Sequence, residues 1–302
     1  MIETNSAIAS EEEGASELAA LGGILSTNLE RIEARVSGSA VGGIPVDFHD
    51  LDAMTQGLQR GALVVGGGRP AMGKTSLVLN MAKNIAQSHD LPVCIFGLEM
   101  SKEQLSNRLL SMELGIETGR LRTGRLEQDE WSRLSKAIDN LGQQAIFIND
   151  KRKLSVEEMI AQCKKISERY EKEGLGLVVI DYVQLMEGLI DEPRDDELSR
   201  IVVDLKEMAT QLDVPVVVLS QLNRDLEYRE NKRPMLSDLR ETESLEQHGD
   251  IVLMLYRDEY YNPQTQDKGI AELIFTKHRN GPLGTIKLGF DPQFSRFSNL
   301  AA

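Results

Sequence analysis

The sequence predicts an α/β fold in which a mostly parallel, twisted sheet carries helices on both of its faces. Segments with the three- and four-residue apolar spacing of helices alternate with short runs of Val, Ile and Leu. Near-continuous apolar strands joined by helices are typical of a parallel sheet that is buried on both sides. The predicted strands lie at residues 63–65, 93–98, 145–148, 177–180, 214–219, 251–255 and 271–275.

Two of the helices between these strands have clear start signals. Ser101 is followed three residues later by Gln104, and Ser155 by Glu158, which is the capping-box pattern of a helix N-terminus. Gly174 is expected to end the second helix, because glycine readily adopts the left-handed conformation of a C-terminal cap.

Length and charge narrow the possible functions. A chain of 302 residues with 41% hydrophobic residues can bury a full core. The net charge is −14, and about half of this excess lies in the first fifty residues, where nine acidic side chains face only Arg31 and Arg35. This charge excludes a generally basic nucleic-acid-binding surface, so any DNA or RNA contact depends on a few local cations.

The sequence carries no sign of export. No apolar run approaches the roughly twenty residues of a membrane span, and the N-terminus lacks the basic-then-apolar pattern of a signal peptide. We therefore expect a soluble, cytoplasmic protein. The two cysteines, Cys94 and Cys163, do not form a disulfide framework or a metal motif and are expected to be small buried hydrophobic residues.

The chain divides into three predicted segments. Residues 1–14 are small, polar and acidic, which favours a disordered start. Residues 15–43 combine a helix, with one apolar stripe between Leu18 and Val36, and a joint rich in Gly and Ser. Residues 44–302 form the α/β domain. The stripe either folds back on this domain or docks on a neighbouring copy, and the apolar spacing fits both alternatives.

A phosphate-binding loop follows the first strand of the α/β domain. Residues 64–76 run from an apolar strand through glycines into a helix and match G-x-x-x-x-G-K-[ST]. The backbone N–H groups of such a loop and the helix N-terminus bind phosphate oxygens. Lys74 is expected to contact the β- and γ-phosphates, and the Thr75 hydroxyl to ligate Mg²⁺. The predicted nucleotide-binding residues are Gly68, Arg69, Pro70, Ala71, Met72, Gly73, Lys74, Thr75, Ser76 and Asp181.

Polar residues at other strand ends complete the candidate site. Asp181 follows an apolar strand and is the second expected Mg²⁺ ligand, with Thr75. Glu99 ends another strand and is the candidate base that orients water, although it could instead serve the helix that begins after Ser101. Gln221 ends a third strand and is the candidate sensor of the γ-phosphate, or an ordinary polar strand end.

A basic pair follows the strand at residues 271–275. Lys277 and Arg279 stand at alternate positions and can project together. Phosphoryl transfer needs additional positive charge in its transition state, which makes this pair a catalytic candidate. Without other knowledge the pair also fits a basic surface turn.

These motifs together resemble the C-terminal motor domain of the DnaB-type replicative DNA helicases, a RecA-like P-loop ATPase that works as a six-membered ring. The resemblance covers nearly the whole chain. The matching segments are Arg69-Pro70-Ala71-Met72-Gly73-Lys74-Thr75, Leu98-Glu99-Met100-Ser101, Ile180-Asp181-Tyr182-Val183-Gln184-Leu185-Met186, Leu219-Ser220-Gln221-Leu222-Asn223-Arg224, Arg233-Pro234, Ser237-Asp238-Leu239-Arg240-Glu241 and Arg279-Asn280-Gly281-Pro282.

The resemblance implies an ATP- and Mg²⁺-dependent helicase that moves on single-stranded DNA as a homo-hexamer, with a loader and other replisome proteins as partners. It implies that Lys277 and Arg279 reach the nucleotide of the adjacent subunit. It also implies that the stripe at residues 18–36 is a linker helix that docks on that subunit. DNA contacts are expected from residues 224–246 and from residues 187–197. The candidates in the first loop are Arg224, Arg229, Lys232, Arg233, Arg240, Glu241 and Glu243.

The sequence departs from the family pattern in two places. The residues before the joint leave no room for the N-terminal domain that usually contacts primase, so a primase contact is not expected and the sequence fits a fragment. Glu243 stands where the family usually has Gly, which bears on the local DNA contact. Two alternatives remain, a RecA-like recombinase or clock-type ATPase that does not unwind DNA, and a replisome assembly module that forms no productive ring.

Overall fold

The computed structural model describes residues 20–36, 42–170, 174–186 and 193–300, in two compact units divided between Val41 and Gly42. The first unit contributes α1 (Leu21–Val36). Its apolar residues Leu21, Leu25 and Leu29 are 67%, 56% and 56% exposed. The predicted helix is therefore present, and these residues of its apolar stripe are exposed to solvent. The expectations for residues 1–19 and 37–41 lie outside the described residues.

The second unit is built on one sheet, and its strands along the chain are β1 (Leu63–Gly68), β2 (Val93–Gly97), β3 (Ile146–Asn149), β4 (Leu177–Asp181), β5 (Val216–Gln221), β6 (Ile251–Tyr256), β7 (Ile270–His278), β8 (Gly284–Asp291) and β9 (Arg296–Ser298). Their order in the sheet is β3-β2-β4-β5-β1-β6-β7-β8-β9. The first six in this order are parallel, and the last three are joined antiparallel.

Helices cover both faces of this sheet, as the sequence predicted. Alternate residues of β1 show the division, since Val64 belongs to one apolar cluster and its neighbours Leu63 and Val65 to the other. Each face of a strand is thus buried under its own layer of helices. The helices of this unit are α2 (His49–Thr55), α3 (Lys74–Ser88), α4 (Lys102–Leu114), α5 (Thr118–Thr123), α6 (Gln128–Gln143), α7 (Val156–Arg169), α8 (Arg194–Gln211), α9 (Glu243–His248) and α10 (Asp258–Tyr261).

The local start signals are confirmed, and one end signal is not. Ser101 and Ser155 each accept a backbone hydrogen bond in a complete capping box at the start of α4 and α7. However, α7 ends at Arg169, five residues before Gly174. Gly174 does have a positive φ of 65°, so it makes a left-handed turn after the helix.

The sequence pattern did not predict the antiparallel part of the sheet beyond β7. Strands β8 and β9 alternate buried and exposed residues, as in the pairs Phe290 with Phe297 and Gly289 with Ser298. Such alternation produces no continuous apolar run, which is why these strands were missed. Strand β8 carries Phe290 to the phosphate loop, and the turn between β8 and β9 carries Ser295 there.

Strand register brings several candidate residues together at the carboxyl ends of the parallel strands. Gly68 at the end of β1 pairs with Gln221 at the end of β5. Asp181 at the end of β4 pairs with Gly97 at the end of β2, two residues before Glu99. Because these strands are parallel, their carboxyl ends meet at the phosphate loop.

Candidate nucleotide site and the adjoining loop

The phosphate loop turns sharply between β1 and α3. Gly73 immediately precedes α3 and has φ 103°. A Cβ built there would lie 3.0 Å from Phe290 Cζ, so both the backbone conformation and the close packing require glycine. Ala71 also has a positive φ, of 65°, which costs energy for a residue with a Cβ. The loop is thus held in a conformation that the surrounding structure maintains.

Lys74 lies beneath this loop with its ammonium group partly removed from water. Its Nζ donates to the carbonyl oxygens of Gly68 at 2.6 Å and Arg69 at 3.2 Å. Burial lowers the pKa of Lys74 to about 8, while Asp181 and Glu99 act in the opposite direction. In the part of the chain that the structure describes, the ammonium group donates hydrogen bonds to neutral carbonyls alone. A largely desolvated cation with such partners gains from an anionic ligand, so this site fits the phosphates of a nucleotide.

Thr75 and Asp181, the two predicted Mg²⁺ ligands, lie in direct contact. The Thr75 hydroxyl donates to Asp181 Oδ2 at 2.6 Å, although the two residues are 106 positions apart. Burial raises the pKa of Asp181, and the hydrogen bond from Thr75 partly offsets this effect. A hydroxyl and a desolvated carboxylate are hard oxygen ligands, which fits the predicted Mg²⁺ site.

A cavity of about 530 Å³ opens over the loop and includes most of the predicted site. Glu99 and Gln221 both line it, together with Lys74, Thr75 and Asp181. Gln184 holds the end of β5, because its amide donates to the Gln221 carbonyl at 3.1 Å. The strand ends therefore converge as their sequence positions predicted.

Two cationic side chains in the cavity wall were not predicted from the sequence. The first, Arg108 on α4, lines the cavity, and burial lowers its pKa against the opposing effects of Asp181 and Glu99. Its spacing of four residues from Gln104, which also lines the cavity, places both on one helix face and is a signal that could have found it.

The second missed cation, Arg257, comes from the end of β6. It donates to the Ala71 carbonyl at 3.1 Å, pairs with Glu259, and has its guanidinium carbon 4.7 Å from the centre of the Phe290 ring. This buried arginine thereby supports the strained Ala71 peptide from the end of β6. No local motif marks it, since all of its partners except Glu259 are distant in sequence.

The Arg69 side chain leaves the phosphate loop in the opposite direction. Arg69 is 6% exposed and does not line the cavity. Its Nε donates to Glu227 at 2.8 Å and its Nη1 to the Leu222 carbonyl at 2.7 Å. Its backbone belongs to the predicted nucleotide-binding loop, whereas its side chain contacts residues 222–250, which we name the β5–β6 segment.

Lys277 and Arg279 lie near the amino ends of the parallel strands, opposite the carboxyl ends that meet at the phosphate loop. Lys277 donates to the Glu246 and Gln247 carbonyls at 2.6 and 3.0 Å, and Arg279 to the Gln247 carbonyl at 2.8 Å. The Arg279 backbone N–H donates to Asp250, which pairs in turn with Leu63, five residues before Gly68. Five residues of β1 therefore separate Leu63, at the level of Arg279, from Gly68, where the phosphate loop begins. At about 3.3 Å per residue, they span about 16 Å along the strand.

Most of the predicted DNA-contacting cations already have partners within this chain. Arg229 pairs with Asp238, and Lys232 donates to the Glu227 and Arg229 carbonyls. Arg233 forms two contacts with the buried Glu272. Arg224 is exposed, and the side chains of Arg240 and Glu241 lie outside the described ones. The backbone of the predicted contact residues 187–192 is likewise outside the described residues.

Glu243 is exposed in an acidic environment. It begins α9 and lines a cavity of about 520 Å³ that also includes Asp225, Asp238 and Glu246. A carboxylate in the first turn is favourable for the helix dipole. The same charge is unfavourable for an approaching phosphate, so the two effects oppose each other at this position.

The comparisons with known proteins agree with this geometry. Residues 43–299 match the DnaB-like helicase C terminal domain family. The chain belongs to this family. It is 43% identical over 275 residues to the replicative DNA helicase DnaC of Bacillus subtilis (strain 168), which covers 90% of this chain and 60% of that protein. It is 46% identical over 279 residues to the probable replicative DNA helicase of Trieres chinensis, which covers 91% of this chain and 61% of that protein.

Solved structures with a similar chain confirm the expected RecA-like fold. One of them, described as an ATPase domain, has a TM-score of 0.89 at 38% identity, over 94% of this chain and all of that chain. A DnaB-like replicative helicase, described with its interactions with primase, has a TM-score of 0.86 at 38% identity, over 94% of this chain and 68% of that chain. This chain spans about three fifths of the length of the two curated relatives.

Three further findings concern the described residues. Cys94 and Cys163 are both free and buried, as predicted. None of the described helices combines the length and apolar character that a bilayer crossing requires. In the same part of the chain, no group of three or more His, Cys, Asp and Glu side chains is arranged to hold a metal ion.

Proposed function

We propose that this DnaB-like chain is the ATP-driven motor of a replicative DNA helicase, which moves on single-stranded DNA as a homo-hexameric ring. The observation that carries the proposal is the contact between Thr75 and Asp181 in a cavity that also contains Lys74 and Glu99. Named replicative helicases of high similarity support the assignment to DNA replication. We also assign the protein to the cytoplasm, with a loader and other replisome proteins as partners.

The cavity residues have distinct proposed roles. Lys74 binds the β- and γ-phosphates, because among the described residues its desolvated ammonium group donates hydrogen bonds to neutral carbonyls alone. Thr75 and Asp181 hold Mg²⁺ through oxygen atoms. When bound, Mg²⁺ neutralises negative charge on the phosphates. Phosphate-loop backbone groups from Gly68 to Ser76 complete the binding surface.

Glu99 and Gln221 act on the reacting end of the nucleotide. Both side chains line the cavity from different strand ends. Glu99 accepts a hydrogen bond from water and orients it for attack. Gln221 senses the γ-phosphate with a neutral amide, and Gln184 holds its backbone in place. Arg108 supplies a further positive charge within the same cavity.

Lys277 and Arg279 are proposed to serve the nucleotide of a neighbouring subunit. Their contacts with α9 carbonyls lie at the amino edge of the parallel strands, away from this chain's own phosphate loop. Such a pair can assist phosphoryl transfer only if another copy presents its cavity to it. This geometry supports a ring in which each site needs two subunits.

The linker helix supports the same assembly. The apolar residues of α1, including Leu21, Ile24 and Leu29, are exposed, and we propose that a neighbouring copy covers them. Deletion of residues 1–38 should then lower the hexamer population at low protein concentration while the second unit stays folded. Unchanged assembly across a dilution series would favour packing within one chain.

DNA is proposed to contact the β5–β6 segment through its phosphate backbone. Arg224 and Arg240 are the principal proposed cations, and Arg229, Lys232 and Arg233 are further candidates in the same segment. The only aromatic residue between 224 and 246 is Tyr228, which favours backbone contacts over base stacking. Phosphate contacts of this kind weaken as salt rises.

The decisive experiment measures ATP turnover and strand displacement by the same sample, with oligomer mass determined in parallel. We expect single-stranded DNA to stimulate turnover and hexamers to displace a strand. Turnover without displacement would favour a RecA-like ATPase that does not unwind DNA. Assembly without turnover would favour a replisome assembly module.

A further inference from the structure

We propose that Arg69 is a positioning residue that couples the phosphate loop to the β5–β6 segment. The inference rests on the proposed function, because it concerns how the nucleotide site and the DNA-contacting segment affect each other. The backbone of Arg69 belongs to the nucleotide site, whereas its side chain contacts the proposed DNA-contacting segment. Its backbone follows β1 in the loop, and its guanidinium group lies against the chain that leaves β5.

The side-chain contacts of Arg69 are specific. Two different nitrogen atoms bind two different partners, Nε to the Glu227 carboxylate at 2.8 Å and Nη1 to the Leu222 carbonyl at 2.7 Å. The Arg69 side chain is 7% exposed and that of Glu227 is 42% exposed. Arginine suits this geometry because its planar fork presents several donors in fixed directions. The contact therefore fixes residues 222–228 relative to the loop.

The backbone of Arg69 is linked to the group that binds phosphate. Its carbonyl accepts from Lys74 Nζ at 3.2 Å and from the Met72 N–H at 3.4 Å. When Lys74 exchanges its carbonyl partners for phosphate oxygens, the Arg69 peptide loses one of these hydrogen bonds. Buried side chains at native packing density have little room to absorb such a change independently. A change at Lys74 is thus transmitted to the guanidinium group of Arg69.

Hydrogen bonds within the β5–β6 segment connect its two 3₁₀ helices. The Asn223 N–H donates to the Asp238 carbonyl at 3.0 Å. Asp238 Oδ2 also accepts from Arg229 at 2.8 Å and from the Met235 N–H at 2.7 Å. These contacts join the 3₁₀ helix Arg224–Tyr228 to the 3₁₀ helix Leu236–Thr242. The second of these helices carries Arg240, the proposed DNA contact.

A purely structural arginine would behave differently from a coupling one. If Arg69 only stabilised the segment, its loss would weaken nucleotide or DNA binding without changing how one ligand affects the other. If it couples the two sites, its loss must reduce the mutual effect, and by the same factor in both directions. Reciprocity of this kind is a property of two linked binding equilibria, so it separates the two roles.

The experiment measures both linkages in the 302-residue chain. The affinity for a fluorescent oligo-dT is determined with and without a non-hydrolysable ATP analogue and Mg²⁺, and the affinity for the analogue with and without oligo-dT. The coupling ratio is the affinity for one ligand in the presence of the other divided by its affinity in the absence of the other. For Arg69→Met we expect this ratio to fall about five- to tenfold in both titrations, within the usual range of coupling. Arg69→Lys keeps a buried charge but cannot contact both partners, so it should retain part of the ratio.

A double-mutant cycle locates the coupling. Glu227→Gln should lower the ratio by a smaller factor, because the Leu222 contact remains. Arg69→Met combined with Glu227→Gln should lower it no further than Arg69→Met alone, since both changes break one interaction. Arg120→Met is the matched control. Arg120 on α5 also donates two hydrogen bonds through its guanidinium group, both to the Glu130 carboxylate on α6, and it lies outside both sites.

Thermal midpoints show that each variant is folded before its affinities are compared. An unchanged ratio in Arg69→Met and Arg69→Lys would overturn the inference, and so would an equal fall in Arg120→Met. Additive losses in the double mutant would also contradict it. If the wild-type protein binds neither oligo-dT nor the analogue, the proposed function fails. If it binds both without any mutual effect, only the coupling role fails.

Discussion

The nucleotide cavity and the β5–β6 segment use charged residues in opposite ways. In the cavity, burial lowers the pKa of Lys74 and raises that of Asp181, and neither group has an oppositely charged hydrogen-bond partner among the described residues. In the segment, Arg229 is paired with Asp238 and Arg233 with Glu272. The cavity is therefore electrostatically prepared for a ligand, whereas the segment has largely satisfied its own charges.

This difference sets the size of the expected effects. Desolvated groups in a cavity interact strongly with a bound ligand, because little water screens them. Paired, partly exposed cations must exchange an existing partner for a phosphate, and salt weakens that contact. We therefore expect large losses from single changes in the cavity and small, salt-dependent changes from the segment.

The largest effect is expected from Lys74→Ala. This change removes the ammonium group beneath the phosphate loop, so hydrolysis should be abolished while the thermal midpoint changes little. Turnover and melting are measured on the same preparation. Lys83→Ala is the control, because Lys83 lies on the same helix but pairs with Glu113. Persistent turnover in Lys74→Ala would remove the contrast between the two regions.

Glu99→Gln should separate nucleotide binding from hydrolysis. The amide keeps the shape of the side chain but cannot act as the base, so ATP should bind and turnover should fall by about 10²-fold or more. Binding is measured by titration and turnover by phosphate release. Glu103→Gln is the control, since Glu103 is exposed on α4 and does not line the cavity. Rapid phosphate release by Glu99→Gln would assign the base to another residue.

Arg279 tests whether the catalytic site extends across a subunit boundary. Arg279→Ala and Lys74→Ala should each be nearly inactive alone. A mixture should regain part of the hydrolysis, because an intact phosphate loop can then face an intact Arg279 on a neighbouring chain. Oligomer mass must show that mixed hexamers form. Mixed hexamers as inactive as both parents would contradict the assignment.

The pKa of Lys74 predicts how nucleotide affinity depends on pH. Burial lowers this pKa to about 8, and a bound phosphate raises it again because it stabilises the protonated form. Affinity should thus be constant below pH 8 and fall as pH rises above it, by up to about tenfold per unit. Titrations between about pH 7 and 9.5 measure this. Lys74→Arg stays charged throughout and should show a flatter profile.

The smallest effect is expected at Glu243. Its carboxylate lines a cavity together with three other acidic residues, and it should repel a DNA phosphate by about 0.5–1 kcal/mol at screened distances. Glu243→Gly should bind single-stranded DNA a few-fold more tightly at low salt, and the gain should shrink as salt rises. Affinity is titrated at two salt concentrations.

Glu243→Gln is the matched variant, because it removes the charge without adding the backbone freedom of glycine. An equal gain in both variants assigns the effect to charge. Equal or weaker binding by both at low salt would indicate that Glu243 holds the loop in shape instead of repelling DNA.

Local sequence predicted the cavity better than the segment for a physical reason. The phosphate loop needs glycines, a lysine and a threonine at fixed spacing, because backbone amides and two side chains must converge within one turn. Asp181 was predictable since it ends an apolar strand, and parallel strands bring their carboxyl ends together. The cations of residues 224–246 follow no such rule. Their ion pairs with Asp238 and Glu272 depend on how the chain folds between β5 and β7.

The parallel sheet, the phosphate loop and the family can be read from the amino-acid sequence, because each is encoded by residues close together along the chain. The directions of the side chains follow instead from the folded structure. Arg69 belongs to the loop motif, yet it binds Leu222, 153 residues away. Arg257, which follows β6, and Phe290, on the antiparallel strand β8, reach the cavity without any local motif. Such contacts depend on strand register and long-range packing, which no local pattern specifies.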